Sequence, residues 1–204
     1  MTAIAPALTL ISDTSRYTGE VFFDAMEQSL AAGADAVLVR EKTLSSARLL
    51  ALAARLRETT RTYGAQLIIH SQADIAEAVD ADGVHLSARD IGTIPAVRGW
   101  LNNPDKIVSV SCHHAGEMAL AAQLGADYVM LSPLFPTASH PGAPCLGVAC
   151  FHRLADQFKL PVVALGGITT HNCAELGWPH LAVISAVLAA EDPSASTRAL
   201  LPRR

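Results

Sequence analysis

The chain has 204 residues, half of them hydrophobic and 17% charged, with a formal net charge of -4. That length supports one sizeable core and is short for two ordinary domains, so residues 1–204 read as a single domain. The acidic balance excludes the general basic field that nucleic acid or an anionic membrane would require, and any anion site must be local.

The first element is predicted at Ala7–Ser12. The apolar stretch from Ala3 to Ile11 has no basic leader and no clear small-residue cleavage site, and it runs into Ser12-Asp13 as a strand does. A helix is predicted over Val21–Ala32 and a strand over Ala36–Arg40. Ser45–Tyr63 shows the clearest helical period. There Leu49, Leu50, Leu52 and Leu56 form an apolar stripe opposite Arg48, Arg55, Arg57 and Glu58, and Gly64 ends the helix. Strands follow at Gln66–His70 and Gly83–Leu86, with only a short segment from Ala73 to Asp82 between them. After Asp90 the spacing changes again, around Gly92, Pro95, Gly99 and Pro104. Further strands are predicted at Ile107–Ser111, Tyr128–Pro133, Val162–Gly166 and Leu181–Ser185. Helices are predicted at Ala115–Leu124 and Val148–Phe158, with a last one after Glu191. Most of the strands are near-continuous apolar runs, as in parallel strands buried on both faces.

Strands that alternate with helical segments in this way predict an α/β fold, a single (β/α)8 TIM barrel. A doubly wound open sheet is the alternative, because periodicity does not show closure. Ala31-Ala32-Gly33-Ala34-Asp35 is echoed by Gln123-Leu124-Gly125-Ala126-Asp127, which reports a shared connection geometry. No apolar run approaches the roughly 20 residues of a membrane span.

In such a barrel, function gathers at the carboxyl ends of the strands. In chain order those ends offer Asp13, Arg40-Glu41-Lys42, His70-Ser71, His85 with Ser87 and Asp90, and Ser111-Cys112-His113-His114. Then come Thr137, Ser139 and His140, Gly166-Gly167, and Ser185. Glycines let backbone N–H groups approach an anion, and hydroxyls add donors without charge, so Thr137, Ser139, Gly166, Gly167 and Ser185 point to a bound phosphate. Arg40 and Lys42 lie two apart and are expected to face one way, as a fork and a mobile charge for a second anion. The alternative is a surface salt bridge with Glu41. Asp90 is either a ligand in a magnesium–pyrophosphate site or a helix N-terminal acid. His70, His85, His113, His114 and His140 lie near the predicted mouths, where any one of them is a structural histidine or a proton-transfer group, and His113 and His114 are adjacent and should point apart. Cys112, Cys145, Cys150 and Cys173 have no CxxC spacing, which argues against a zinc ribbon and for thiols in a reducing cytoplasm.

The motifs Leu38-Val39-Arg40-Glu41-Lys42, Asp82-Gly83-Val84-His85-Leu86, Pro133-Leu134-Phe135-Pro136-Thr137 and Leu165-Gly166-Gly167-Ile168-Thr169 resemble the thiamine phosphate synthase and TenI superfamily of (β/α)8 barrels. The resemblance covers roughly residues 7 to 190. It implies a cytoplasmic thiamine-biosynthesis protein that holds a thiazole phosphate and condenses it with hydroxymethylpyrimidine pyrophosphate. Thr137, Ser139, Gly167 and Ser185 then match the thiazole phosphate half, and Arg40, Lys42, Ser111 and Asp90 the pyrophosphate half, with Mg²⁺ as cofactor. The implied partners are the two small phosphorylated ligands, without nucleic acid or membrane, and a homodimer stays open. Departures from the synthase pattern stand at Leu38 (glutamine in the pattern), at His70 and Ser71 (Asn-Asp, the aspartate a magnesium ligand) and at His140 (lysine). The TenI pattern has its acid/base histidine where this chain has Pro133. Three readings follow: a synthase, a thiazole tautomerase using His70, His113 or His140, and a non-catalytic thiazole phosphate binder. The sequence is also similar to barrel domains fused behind Nudix hydrolases.

Overall fold

The computed structural model describes residues 5–137 and 144–202. Eight parallel strands close into a barrel in sequence order, which settles the choice against an open sheet. They are β1 (Leu8–Ile11), β2 (Ala36–Val39), β3 (Gln66–His70), β4 (Gly83–Leu86), β5 (Ile107–Cys112), β6 (Tyr128–Leu131), β7 (Val162–Leu165) and β8 (Leu181–Val183). Closure comes from β8 pairing back onto β1, Leu8 opposite Leu181 and Leu10 opposite Val183. The helices on the outside include α1 (Gly19–Ala31), α2 (Ser46–Thr62), α3 (Ala73–Ala78), α4 (Ile94–Leu101), α5 (Ala115–Gln123) and α6 (Gly147–Ala155). Next come two short turns of helix, α7 (Cys173–Leu176) and α8 (Ser185–Leu188), and then α9 (Pro193–Leu200).

Two apolar layers follow from the strand alternation. Leu10, Val37, Val39, Leu67 and Ile69 face outward under the helices, while Ile11, Leu38, Ile68, Tyr128, Met130 and Val163 fill the barrel. Helix α2 buries Leu49, Leu52, Ala53, Leu56 and Thr60. Leu50, expected in that stripe, is 40% exposed, because the buried positions follow the 3/4 spacing and Leu50 falls beside it. The segment after Asp90 does build helix: a 3₁₀ helix over Ala88–Thr93 runs into α4, with Pro95 in the first turn, where its missing N–H costs nothing.

The repeated Gly-Ala-Asp has a physical cause. Gly33 and Gly125 take φ of +113° and +86° to leave their helices. The aspartate that follows then caps the preceding strand. Asp35 accepts from the N–H groups of Ala7 and Leu8 at 2.9 Å, and Asp127 accepts from that of Val108 at 2.7 Å. Asp82 does the same for Leu67 and also holds Arg57.

Several strands end earlier than the apolar runs suggest: β2 at Val39, β6 at Leu131, β7 at Leu165 and β8 at Val183. Arg40, Ser132-Pro133, Gly166 and Ser185 have left the ladder and form the loops of one barrel mouth. Among the described residues, no helix is long and apolar enough to cross a membrane.

Candidate active site

The carboxyl ends of the strands surround a cavity of about 560 Å³. Its floor is apolar, made by Ile11, Leu38, Met130, Leu165 and Ala182. Its walls are polar and fall into two halves.

One half joins the ends of β6, β7 and β8. Thr137, Gly166, Gly167 and Ser185 all line it. Gly166 and Gly167 have φ of +106° and +67°, which L side chains rarely adopt. Space demands glycine as well. A Cβ on Gly166 would lie 2.9 Å from Pro133 Cα, and one on Gly167 would lie 2.8 Å from Phe135 Cβ and closer still to the Pro136 carbonyl oxygen. The Gly166 carbonyl accepts from Phe135 N–H at 2.9 Å, and the Leu165 carbonyl from Leu134 N–H at 2.9 Å. The two loops are therefore locked together, and the Gly-Gly backbone is bare toward the cavity. Ser139, assigned to this half from the sequence, and His140 lie outside the described residues.

The other half belongs to β2, β3, β4 and β5. Arg40 lines the cavity. Burial lowers its pKa, opposed by the charges of Asp13 and Glu41. Both acids have partners of their own: Asp13 pairs with Arg16, and Glu41 accepts from Ser12 Oγ at 2.6 Å and Thr14 Oγ1 at 2.7 Å. Among the described residues Arg40 has no ion pair, so the salt bridge with Glu41 is not formed. Lys42 is exposed and does not line the cavity. The expected two-residue alternation fails there because β2 ends at Val39.

His70 lines the cavity, and its Nδ1 is 3.0 Å from Ser71 Oγ. Burial, then Arg40 and Lys42, pull its pKa down to about 4, against an opposing effect of Asp90. His70 is thus neutral at physiological pH. Ser71 takes φ of +62° and its backbone N–H donates to the His85 carbonyl at 2.9 Å. Asp90 sits in the first turn of the 3₁₀ helix and accepts from Ser87 Oγ at 2.6 Å. Ser87 lines the cavity; Asp90 and Ser71 do not.

Ser111 and His113 come from the end of β5, and both line the cavity. His113 Nδ1 lies 2.7 Å from the Ser132 carbonyl oxygen. A carbonyl only accepts, so Nδ1 carries the proton and a neutral ring keeps the Nε2 lone pair. His114 turns away, as expected for its neighbour, and caps α5 by accepting from Glu117 N–H. His85, offered by the sequence at a strand end without a role of its own, is the penultimate residue of β4; it is buried and lines the cavity. The signal was present in the alternation of Val84-His85-Leu86 against Val108-Ser109-Val110-Ser111, where polar groups replace the inward apolar positions.

No group of three or more His, Cys, Asp or Glu residues able to hold a metal occurs among the described residues. Mg²⁺ bound together with substrate phosphates needs only one or two carboxylates. The Asp90 carboxylate, which accepts from the Ser87 hydroxyl, meets that minimum.

The family model described as thiamine monophosphate synthase matches residues 8–189. A thiamine-phosphate synthase of Shouchella clausii is 35% identical over 198 residues, covering 95% of this chain and 94% of its own length. A thiamine biosynthesis bifunctional protein, ThiM/ThiE, of Symbiobacterium thermophilum is 40% identical over 183 residues. The match covers 87% of this chain but only 38% of that longer protein. Among solved structures, a thiamine phosphate pyrophosphorylase from Pyrococcus furiosus superposes with a TM-score of 0.83 at 34% identity, covering 95% of this chain and 92% of its own.

Proposed function

Because the chain belongs to the thiamine monophosphate synthase family, we propose that it condenses hydroxymethylpyrimidine pyrophosphate with a thiazole phosphate in the cytoplasm, giving thiamine phosphate and pyrophosphate. One observation carries this reading. A single cavity has at one wall a half-buried guanidinium with no ion pair among the described residues, and a glycine–hydroxyl cradle at the other. Two anionic ends with an apolar floor between them suit two phosphorylated heterocycles.

The bond that breaks joins the pyrimidine methylene carbon to the pyrophosphate oxygen, and its electron pair leaves with pyrophosphate. The thiazole ring nitrogen then donates its lone pair to that carbon. No side chain has to act as nucleophile, so catalysis rests on stabilising the departing charge. Arg40 does this by forking onto the pyrophosphate, with Lys42 at the rim as a mobile charge. Asp90 would hold Mg²⁺ with the pyrophosphate oxygens, adding charge neutralisation. Thr137, Gly166, Gly167 and Ser185 anchor the thiazole phosphate and so aim its nitrogen. The apolar floor keeps away water that would trap the carbocation.

Arg40→Ala tests the reading. Two charged hydrogen bonds at about 1.5–3 kcal/mol each correspond to a loss of roughly a hundredfold or more in turnover. Unchanged turnover would sink the assignment of the pyrophosphate wall. His113 supports a second reading, since a histidine whose Nε2 lone pair is left free beside the phosphate cradle is suited to an aromatising proton shift on a thiazole carboxylate phosphate. His113→Gln separates the two: it should spare condensation and abolish isomerisation.

A further inference from the structure

Arg40 stands one residue past the end of β2 and yet lines the cavity. The strand ladder has stopped there, and the loop after β1 takes over. Ser12 N–H donates to the Leu38 carbonyl at 3.0 Å. The next rung of a parallel ladder would carry the Arg40 N–H to a backbone carbonyl. Here it goes to a side chain instead: Arg40 N–H donates to Ser12 Oγ at 2.9 Å.

Glu41 decides which way that hydroxyl points. A carboxylate only accepts, so the Ser12 hydroxyl donates to Glu41 Oε1, at 2.6 Å, and turns its lone pairs to the Arg40 N–H. The same carboxylate accepts from Thr14 N–H at 3.1 Å and from Thr14 Oγ1 at 2.7 Å, which ties the loop after β1 to the loop after β2. Ser12 is buried, and Thr14 and Glu41 are half-buried, so water competes little for these bonds.

The arrangement also resolves a conflict of charge. The charges of Asp13 and Glu41 both act on the Arg40 guanidinium. A direct ion pair with either would occupy the fork that an anion needs. Glu41 engages Ser12 and Thr14 instead, and Asp13 accepts from Ser15 Oγ and Arg16 Nε, each at 2.6 Å.

We infer that Glu41 is a positioning residue: through Ser12 it fixes the backbone of Arg40, and by binding Ser12 and Thr14 it leaves the guanidinium fork open to a pyrophosphate. The inference rests on the reading of Arg40 as the pyrophosphate anchor.

The test is a double-mutant cycle on the full-length protein. The Kd for inorganic pyrophosphate with Mg²⁺ is measured by calorimetry in Glu41→Ala and Ser12→Ala, each alone and combined with Arg40→Ala. Ser12→Ala removes a single hydroxyl, so it carries the test even where Glu41→Ala does not fold. Loss of a nearby negative charge would by itself tighten pyrophosphate binding. Positioning predicts the opposite sign. Each single variant should bind about tenfold more weakly, the lower end for one charged hydrogen bond, and kcat/KM for hydroxymethylpyrimidine pyrophosphate should fall with it. In the Arg40→Ala background both effects should shrink to less than about twofold. Unchanged or tighter binding in either single variant overturns the inference. So does a weakening of the same size without Arg40, which would mark a merely structural role. A protein that shows the coupling but forms no thiamine phosphate would refute the condensation reading and leave the assignment of Glu41 standing.

Discussion

Gly167→Ala and Gly64→Ala form a matched pair that isolates the contact between the Gly-Gly loop and the loop after β6. Both glycines are left-handed, with φ of +67° and +63°. Forcing an L side chain into that region costs about 1–2 kcal/mol at either site. The surroundings differ. A Cβ at Gly64 meets nothing within 4 Å, whereas one at Gly167 meets Phe135 Cβ at 2.8 Å, Phe135 O at 2.9 Å and the Pro136 carbonyl oxygen closer still. Two of these three are backbone atoms and cannot yield by changing rotamer. Overpacking of this kind adds about 1–3 kcal/mol. Gly64→Ala should therefore cost about 1–2 kcal/mol and Gly167→Ala about 2–5 kcal/mol, from urea unfolding midpoints at constant slope. Relief of the clash has to move the 135–137 backbone, so Gly167→Ala should also weaken thiazole phosphate binding, and Gly64→Ala should not. Equal losses in the two variants, or intact thiazole phosphate affinity in Gly167→Ala, would refute the claim that close backbone approach builds the cradle.

Asp35→Ala removes the acceptor of two 2.9 Å hydrogen bonds at the start of β1 and should cost about 2 kcal/mol, with Asp35→Asn, which keeps one acceptor oxygen, losing about half of that. His70 and His85 have folded pKa values of about 4 and about 3, below the ordinary 6.5. The unfolded chain therefore binds more protons as acid is added. Stability should be full above about pH 6.5 and fall steadily toward pH 4, a trend weakened in His85→Gln; urea midpoints that stay flat over this window would contradict the buried neutral state. Burial holds the Cys112 thiol up at about 12, so a disulfide reagent should modify exposed Cys145 first and Cys112 only on unfolding, as read by peptide mapping.

The barrel was legible because its strands are apolar on both faces and most are followed by a helical period or a helix stop. The closure was not, since β8 pairing with β1 leaves no mark in any local window. The glycine-rich wall of the cavity was legible for a similar reason. Gly166-Gly167 and Ser185 follow directly on apolar runs, so their place at the strand ends could be read in sequence. The other half was harder. Lys42 was grouped with Arg40 by counting residues along a strand that stops at Val39, and beyond that residue the loop, not the pleat, sets direction. His85 went unassigned because a histidine in an apolar run looks like the run's end; only its pairing with Ser109 across the ladder shows it to be interior. Asp90 illustrates a third case. Its two readings, N-terminal acid and magnesium ligand, share one geometry, and its hydrogen bond from Ser87 is compatible with both.

The most direct test of the account is thiamine phosphate formation from hydroxymethylpyrimidine pyrophosphate and thiazole phosphate, measured with and without Mg²⁺ in the wild type and in Arg40→Ala. The account predicts Mg²⁺-dependent product from the wild type and a loss of roughly a hundredfold or more in the variant. A folded wild type that binds thiazole phosphate but forms no thiamine phosphate at any Mg²⁺ concentration would contradict it.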